Sequence, residues 1–277
     1  MFVTRLASGV VLLIIAIGSM SYGGWALAAI LCGVSLVGFR ELTKALGCAG
    51  GGKGSCAAAP NGLEWVGMAG ILAYYLLLYL SAGDTFLLMC IVGTFLAEMF
   101  VYVLAFPRYN AGQTMAAVFS FLYAPVLLSF VYQTRMAPQG IFMVWMILIS
   151  SWGCDTCAYA VGKLIGRKKI FPVLSPKKSL EGCIGGVLGA ALIGWLYGCF
   201  FVEKAFPDRR IAWAIAAICG AGAVMSMVGD LAASAIKRNH DIKDYGKLIP
   251  GHGGIMDRFD SMIVTAPMTY FLTILLL

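Results

Sequence analysis

The sequence predicts an all-α polytopic membrane protein of about nine transmembrane helices, with its N-terminus in the cytoplasm. Three observations carry this. Hydrophobic residues make up 61% of the 277 and charged residues only 12%, with a mean hydropathy of +0.88; a soluble domain carries about 25% charged residues. Apolar stretches long enough to cross a ~30 Å hydrocarbon layer as helices recur throughout. The period-two alternation of a membrane barrel strand is absent. That leaves helices, whose backbone groups are satisfied within the segment.

Taken in order, the spans are 6–22, 24–40, 63–81, 84–106, 113–133, 140–162, 183–201, 211–233 and 258–277. The first has no small-residue cleavage site after it and reads as a retained anchor. The linker after the second, "GCAGGGKGSCAAAPNG" (47–62), is flexible and low in complexity. The fourth contains Glu98, which has no charged partner near it in sequence and reads as a satisfied structural glutamate. The sixth carries Asp155 and the pair Cys154 and Cys157. Most of the nine cysteines fall in apolar spans, where cysteine acts as a small hydrophobe. The seventh and eighth are rich in glycine and alanine ("GGVLGAALIGWLYG", "AICGAGAVMSMVGD") and are expected to pack centrally, since small residues let backbones approach. Residues 1–135 thus hold about five N-terminal helices. Residues 136–277 form a C-terminal region with two basic loops.

The net charge of +7 is a matter of placement rather than of nucleic-acid binding. With the N-terminus inside, every Lys and Arg falls in an inner segment except Arg135, Lys204, Arg209 and Arg210. Such a bias orients a membrane protein. It puts both strongly basic loops on the cytoplasmic side of an integral membrane protein, read here as one of a bacterial inner membrane.

The first basic loop runs from Asp155 to Gly186. Lys163, Arg167, Lys168 and Lys169 suit a topogenic loop that meets anionic lipid. "SPKKSLEGCIGG" offers more: Ser175 and Pro176 set a turn, Lys177 and Lys178 follow, and glycines open the next helix. Backbone N–H groups beside cations are what a phosphate needs. Asp155 lies near the inner end of a span, where an acid is costly and points to function; pairing with a lysine is the plainer alternative.

The second loop lies between Ser234 and Ser261 and holds nine charged residues and both histidines. Asp230 ends the eighth span, with Ser234 and Lys237 on its helical face. Pro250 and glycines 251, 253 and 254 impose a turn and allow close backbone approach. The ninth span opens with "MDRFDS", in which Asp257, Asp260 and Ser261 share a face. Carboxylates at two helix ends, with a cationic glycine-rich loop between them, suit Mg²⁺, which takes one or two carboxylates plus substrate phosphates and water. The chemistry expected is a Mg²⁺-dependent reaction of a nucleotide polyphosphate at the membrane surface.

The pattern S-x-I-K-R-x₄-K-D-x-G-x₂-I-P-x-H-G-G-x₂-D-R-x-D is complete from Ser234 to Asp260. It resembles the signature of the CDP-diacylglycerol synthase (phosphatidate cytidylyltransferase) family, as do "SPKKSLEG" and the Asp155 helix. The specific match covers Asp155 to Ser261. The resemblance implies that CTP and phosphatidic acid give CDP-diacylglycerol and pyrophosphate with Mg²⁺. Asp230 and Asp257 would then ligate metal, with Asp155 and Asp260 supporting that centre or a second cation such as K⁺. Ser175, Lys177, Lys178, Lys237, Arg238, Lys243, Gly253, Gly254 and Arg258 would hold the triphosphate and the lipid phosphate. The phosphatidate nucleophile is already an anion, so His252 is expected to donate a hydrogen bond to phosphate or the metal's ligands; general base and turn residue are its other readings. His240 is expected to be solvated. A homodimer with a membrane-embedded polar funnel is implied as well.

Three rivals differ in chemistry. A CTP-dependent lipid or polyprenol kinase would have similar cationic loops but transfer the γ-phosphate to an alcohol. A CDP-alcohol phosphotransferase spaces its Asp residues four apart, unlike Asp257 and Asp260. An anion transporter would be expected to pair its two halves as repeats, and none is visible.

Overall fold

The computed structural model describes residues 2–48, 59–172, 174–206, 209–249 and 253–277. Nine helices occupy them: α1 (Phe2–Tyr22), α2 (Gly24–Ala45), α3 (Gly62–Tyr79), α4 (Asp84–Leu104), α5 (Ala111–Met136), α6 (Gly140–Ile165), α7 (Leu180–Ala205), α8 (Arg209–Asn239) and α9 (Met256–Leu276). The eight from α2 to α9 are long and apolar enough to cross a membrane, and the apolar part of α1, Ser8–Tyr22, is shorter. No strand occurs among the described residues. The protein is an all-α polytopic membrane protein, as its composition requires. Helices α5, α6 and α7 each contain a π-helical turn, at Leu122–Val126, Ile149–Gly153 and Gly198–Val202. Helix α8 continues past the expected end at 233 to Asn239, because "ASAIKR" keeps good helix formers after the apolar run stops.

The chain forms two compact units: Met1–Tyr132 with His240–Arg258, and Gln133–Asn239 with Phe259–Leu277. In the first, α2 and α3 pack through glycine. The Phe39 ring lies where a side chain on Gly67 would stand, and Thr94 of α4 does the same at Gly70. Lipid is as apolar as leucine, so such contacts hold helices by dispersion and by hydrogen bonds. Tyr75 pairs with Ser35 of α2 at 2.9 Å and donates to the Pro125 carbonyl at 3.3 Å. Asn61 and Glu64 form a capping box at the start of α3 (2.9 and 3.0 Å), a cap of about 1 kcal/mol. Thr43 of α2 donates to the same glutamate at 2.8 Å. Burial pushes the Cys48 thiol up to about 12, which keeps it a neutral apolar filler. Glu98 departs from expectation. It is fully buried, yet neither carboxylate oxygen has a hydrogen-bond partner among the described residues.

The second unit is built on close approach at small residues. On α7, Gly185, Gly189 and Gly194 face Val161, Cys157 and Cys219, at distances that leave no room for a Cβ. Cys154 is buried and donates to the Ala223 carbonyl at 3.7 Å, so the CxxC pair serves packing. Helix α8 meets α9 at Gly229, where an added Cβ would stand 2.8 Å from the Asp260 carbonyl oxygen.

Candidate active site

In the second unit, charged groups from four elements converge. Asp155 comes two residues after the π turn at Ile149–Gly153, which adds a residue to the helical turn and re-aims what comes after. Asp230 comes from α8, Asp260 and Ser261 from α9, and Lys178 from the loop before α7. Lys178 Nζ lies 2.5 Å from Asp230 Oδ2. Asp155 feels the charges of Asp230 and Lys178 and is hydrogen-bonded by Ser261. Asp260 feels Asp230, Lys237 and Asp155, and its Oδ1 accepts the Ser261 N–H at 2.8 Å. Three carboxylates and two lysines therefore share one electrostatic neighbourhood, and neither reading of Asp155 stands alone: it has a lysine, and the acids as well.

The Lys178 loop is ordered by its own backbone. Lys178 N–H donates to the Ser175 carbonyl at 3.2 Å, closing the expected Ser-Pro turn. Glu181 accepts the Arg167 and Lys168 amides at 3.0 and 3.2 Å. Ser179 caps α7 by accepting the Gly182 N–H at 3.2 Å. This helix start is thus partly satisfied by its own side chain. Lys177 is exposed on this loop, and its carbonyl accepts the Lys169 ammonium at 3.1 Å.

In the first unit, the signature segment folds around two carboxylates. Asp257 Oδ2 accepts the Tyr245 amide at 2.8 Å and the Gly254 amide at 3.0 Å. Ile249 N–H donates to the Gly253 carbonyl at 2.9 Å, with Gly253 at φ +84° in the left-handed region that favours glycine. Glu41 of α2, which the sequence reading passed over, accepts the Met256 amide at 2.9 Å. Its signal was an acid beside Arg40, directly after an apolar span. Arg258 is half-buried, and Lys243 is exposed, as is Arg238 on the last turn of α8. His240 is half-buried rather than fully solvated. Pro250, Gly251 and His252 lie outside the described residues.

The donors of the second unit are oxygens, which suit a hard cation such as Mg²⁺. Among the described residues no three His, Cys, Asp or Glu side chains form a group able to hold a metal by themselves. Mg²⁺ does not require one, since it is usually held by one or two carboxylates and completed by phosphates and water. The residues fit an ion shared with a polyphosphate.

Fold and site define a polytopic α-helical membrane protein with clustered carboxylates and lysines and a glycine-rich turn folded on acid side chains. The chain belongs to the cytidylyltransferase family, whose sequence model matches residues 3–276. It is similar to proteins named phosphatidate cytidylyltransferase. The one from Staphylococcus saprophyticus is 33% identical over 173 residues, covering 62% of this chain and 64% of the relative. That from Synechocystis is 39% identical over 140 residues (50% and 46%). That from Staphylococcus aureus strain COL is 34% identical over 172 residues (62% and 64%). The matched stretches thus span less than two-thirds of these relatives' own lengths.

Proposed function

We propose that the protein is a phosphatidate cytidylyltransferase that converts CTP and phosphatidic acid into CDP-diacylglycerol and pyrophosphate in phospholipid synthesis. The observation that carries this reading is Asp230, paired with Lys178 of the basic loop and facing Asp155 and Asp260. Family membership and the complete Ser234–Asp260 signature support it.

In this reading a phosphatidate phosphate oxygen attacks the α-phosphorus of CTP. One O–P bond forms, the α–β bridge breaks, and pyrophosphate leaves with the electron pair. Asp230, with Asp155 and Asp260 beside it, would hold Mg²⁺, and Asp257 would keep a metal role on its signature position. Asp155 and Asp260 would also suit a second cation such as K⁺, and positive charge held by these acids would offset repulsion between the two anions. Lys177, Lys178, Lys237, Arg238, Lys243 and Arg258 neutralise the triphosphate and the lipid phosphate, while Ser175, Gly253 and Gly254 offer hydrogen bonds at close range. His252 donates rather than abstracts a proton, because the nucleophile arrives ionised. The lysine-rich loops face the cytoplasm, where CTP is, in a bacterial inner membrane, and the working form is a homodimer.

The test supplies purified protein with CTP, Mg²⁺ and either phosphatidate or diacylglycerol. Pyrophosphate released with phosphatidate is the expected result. CDP released with diacylglycerol would make the protein a kinase and overturn the reading.

A further inference from the structure

Glu41 and the amide it binds are 215 residues apart. Met256 N–H donates to Glu41 Oε2 at 2.9 Å, and the backbone of Ile255 donates to the same side chain. These amides open α9, where no partner exists within the helix itself. A carboxylate is favoured there by hydrogen bonding and by the helix dipole. The same carboxylate occupies the space above two signature glycines. A Cβ on Gly246 would collide with Glu41 Oε1, and one on Gly254 would stand 2.5 Å from Oε2. Asp257, one residue past Met256, takes the Tyr245 and Gly254 amides from the other side. Two acids therefore hold four amides of one segment, and Glu41 lies within the electrostatic reach of Asp257.

We propose that Glu41 is a positioning residue: by holding the Ile255 and Met256 amides against Gly246 and Gly254 it keeps the Asp257 carboxylate in one orientation for the reaction. The catalytic half of this statement rests on the cytidylyltransferase reading; the clamp itself does not. It also explains the two glycines, which admit the carboxylate against bare backbone.

The test uses the purified full-length protein and two readouts. Glu41→Gln keeps the shape but turns an –NH₂ toward backbone donors. Without metal or nucleotide, amide hydrogen exchange across residues 244–257 should rise in this variant. In the assay, kcat should fall about tenfold and the Mg²⁺ concentration for half-maximal activity should increase, as losing a group that orients a ligand does, while the KM for phosphatidate stays unchanged. Gly246→Ala should be damaging in the native background, yet add little in a Glu41→Ala background, where the methyl fills vacated space. Should Glu41→Ala fail to accumulate, the Glu41→Gln readouts decide alone. Unchanged exchange with unchanged Mg²⁺ dependence, or fully additive losses in the double variant, would overturn the proposal. Raised exchange in Glu41→Gln, with no pyrophosphate from any form of the protein, would uphold the clamp and defeat the cytidylyltransferase reading instead.

Discussion

Asp257 serves the backbone and, in the proposed reaction, the metal, and one substitution separates these roles. Asn at 257 keeps an oxygen for the Tyr245 and Gly254 amides but loses the charge. Asp257→Asn should therefore insert and melt like the native protein while turnover falls to background; near-native activity would remove Asp257 from the metal site. Lys177 and Lys178 are neighbours with different fates. Lys177 is exposed, so Lys177→Ala should raise the apparent KM for CTP or phosphatidate with no change in melting temperature. Lys178 is 21% exposed and Asp230 31%. The pair lies between a surface bridge of at most about 1 kcal/mol and a dry one that costs about 3–5 kcal/mol to break. Lys178→Ala leaves Asp230 facing Asp155 and Asp260, so it should lower both melting temperature and activity. If only expression suffers at Lys177, that loop returns to a topogenic role. At this scale the sequence shows which residues carry charge in costly places, and Asp155 and Asp260 each feel the charge of Asp230. It does not show Glu41's partner, since hydropathy and spacing say nothing about a contact across 215 residues.

Elements place these side chains through close approach. The α8–α9 contact at Gly229 admits no Cβ, because the Asp260 carbonyl and the Val264 side chain stand there. Gly229→Ala must part the two helices beside Asp230 and Asp260. It should cost activity by about tenfold or more, out of proportion to any loss of folded protein, since a small misplacement near a reacting group is amplified. Activity that merely tracks the yield of folded protein would show that the contact serves packing alone. The close packing of the glycine-rich seventh and eighth spans is legible in the sequence, as small residues have few other uses at that density. The π turns are not, since an extra residue in a helical turn leaves no trace in an apolar run. The end of α8 is misjudged for a related reason: polarity marks where a span leaves the hydrocarbon, not where a helix stops.

At the scale of the molecule, lipid simplifies the problem. It admits few backbone solutions, so composition and span length alone yield the all-α architecture. The grouping of His240–Arg258 with the N-terminal helices is another matter, as it depends on side chains such as Glu41 that no hydropathy profile weighs. The proposed chemistry makes one demand on the whole protein. Excess EDTA should abolish activity, and added Mg²⁺ should restore it without a refolding step; full activity in EDTA would remove the metal from the reaction. The Glu41–Met256 hydrogen bond also has a meaning for biosynthesis. A ribosome that has released Glu41 toward the bilayer must still make 215 more residues before the matching amide exists. The nascent chain therefore lacks this clamp until its closing helix is made, and termination before Met256 yields a product without it.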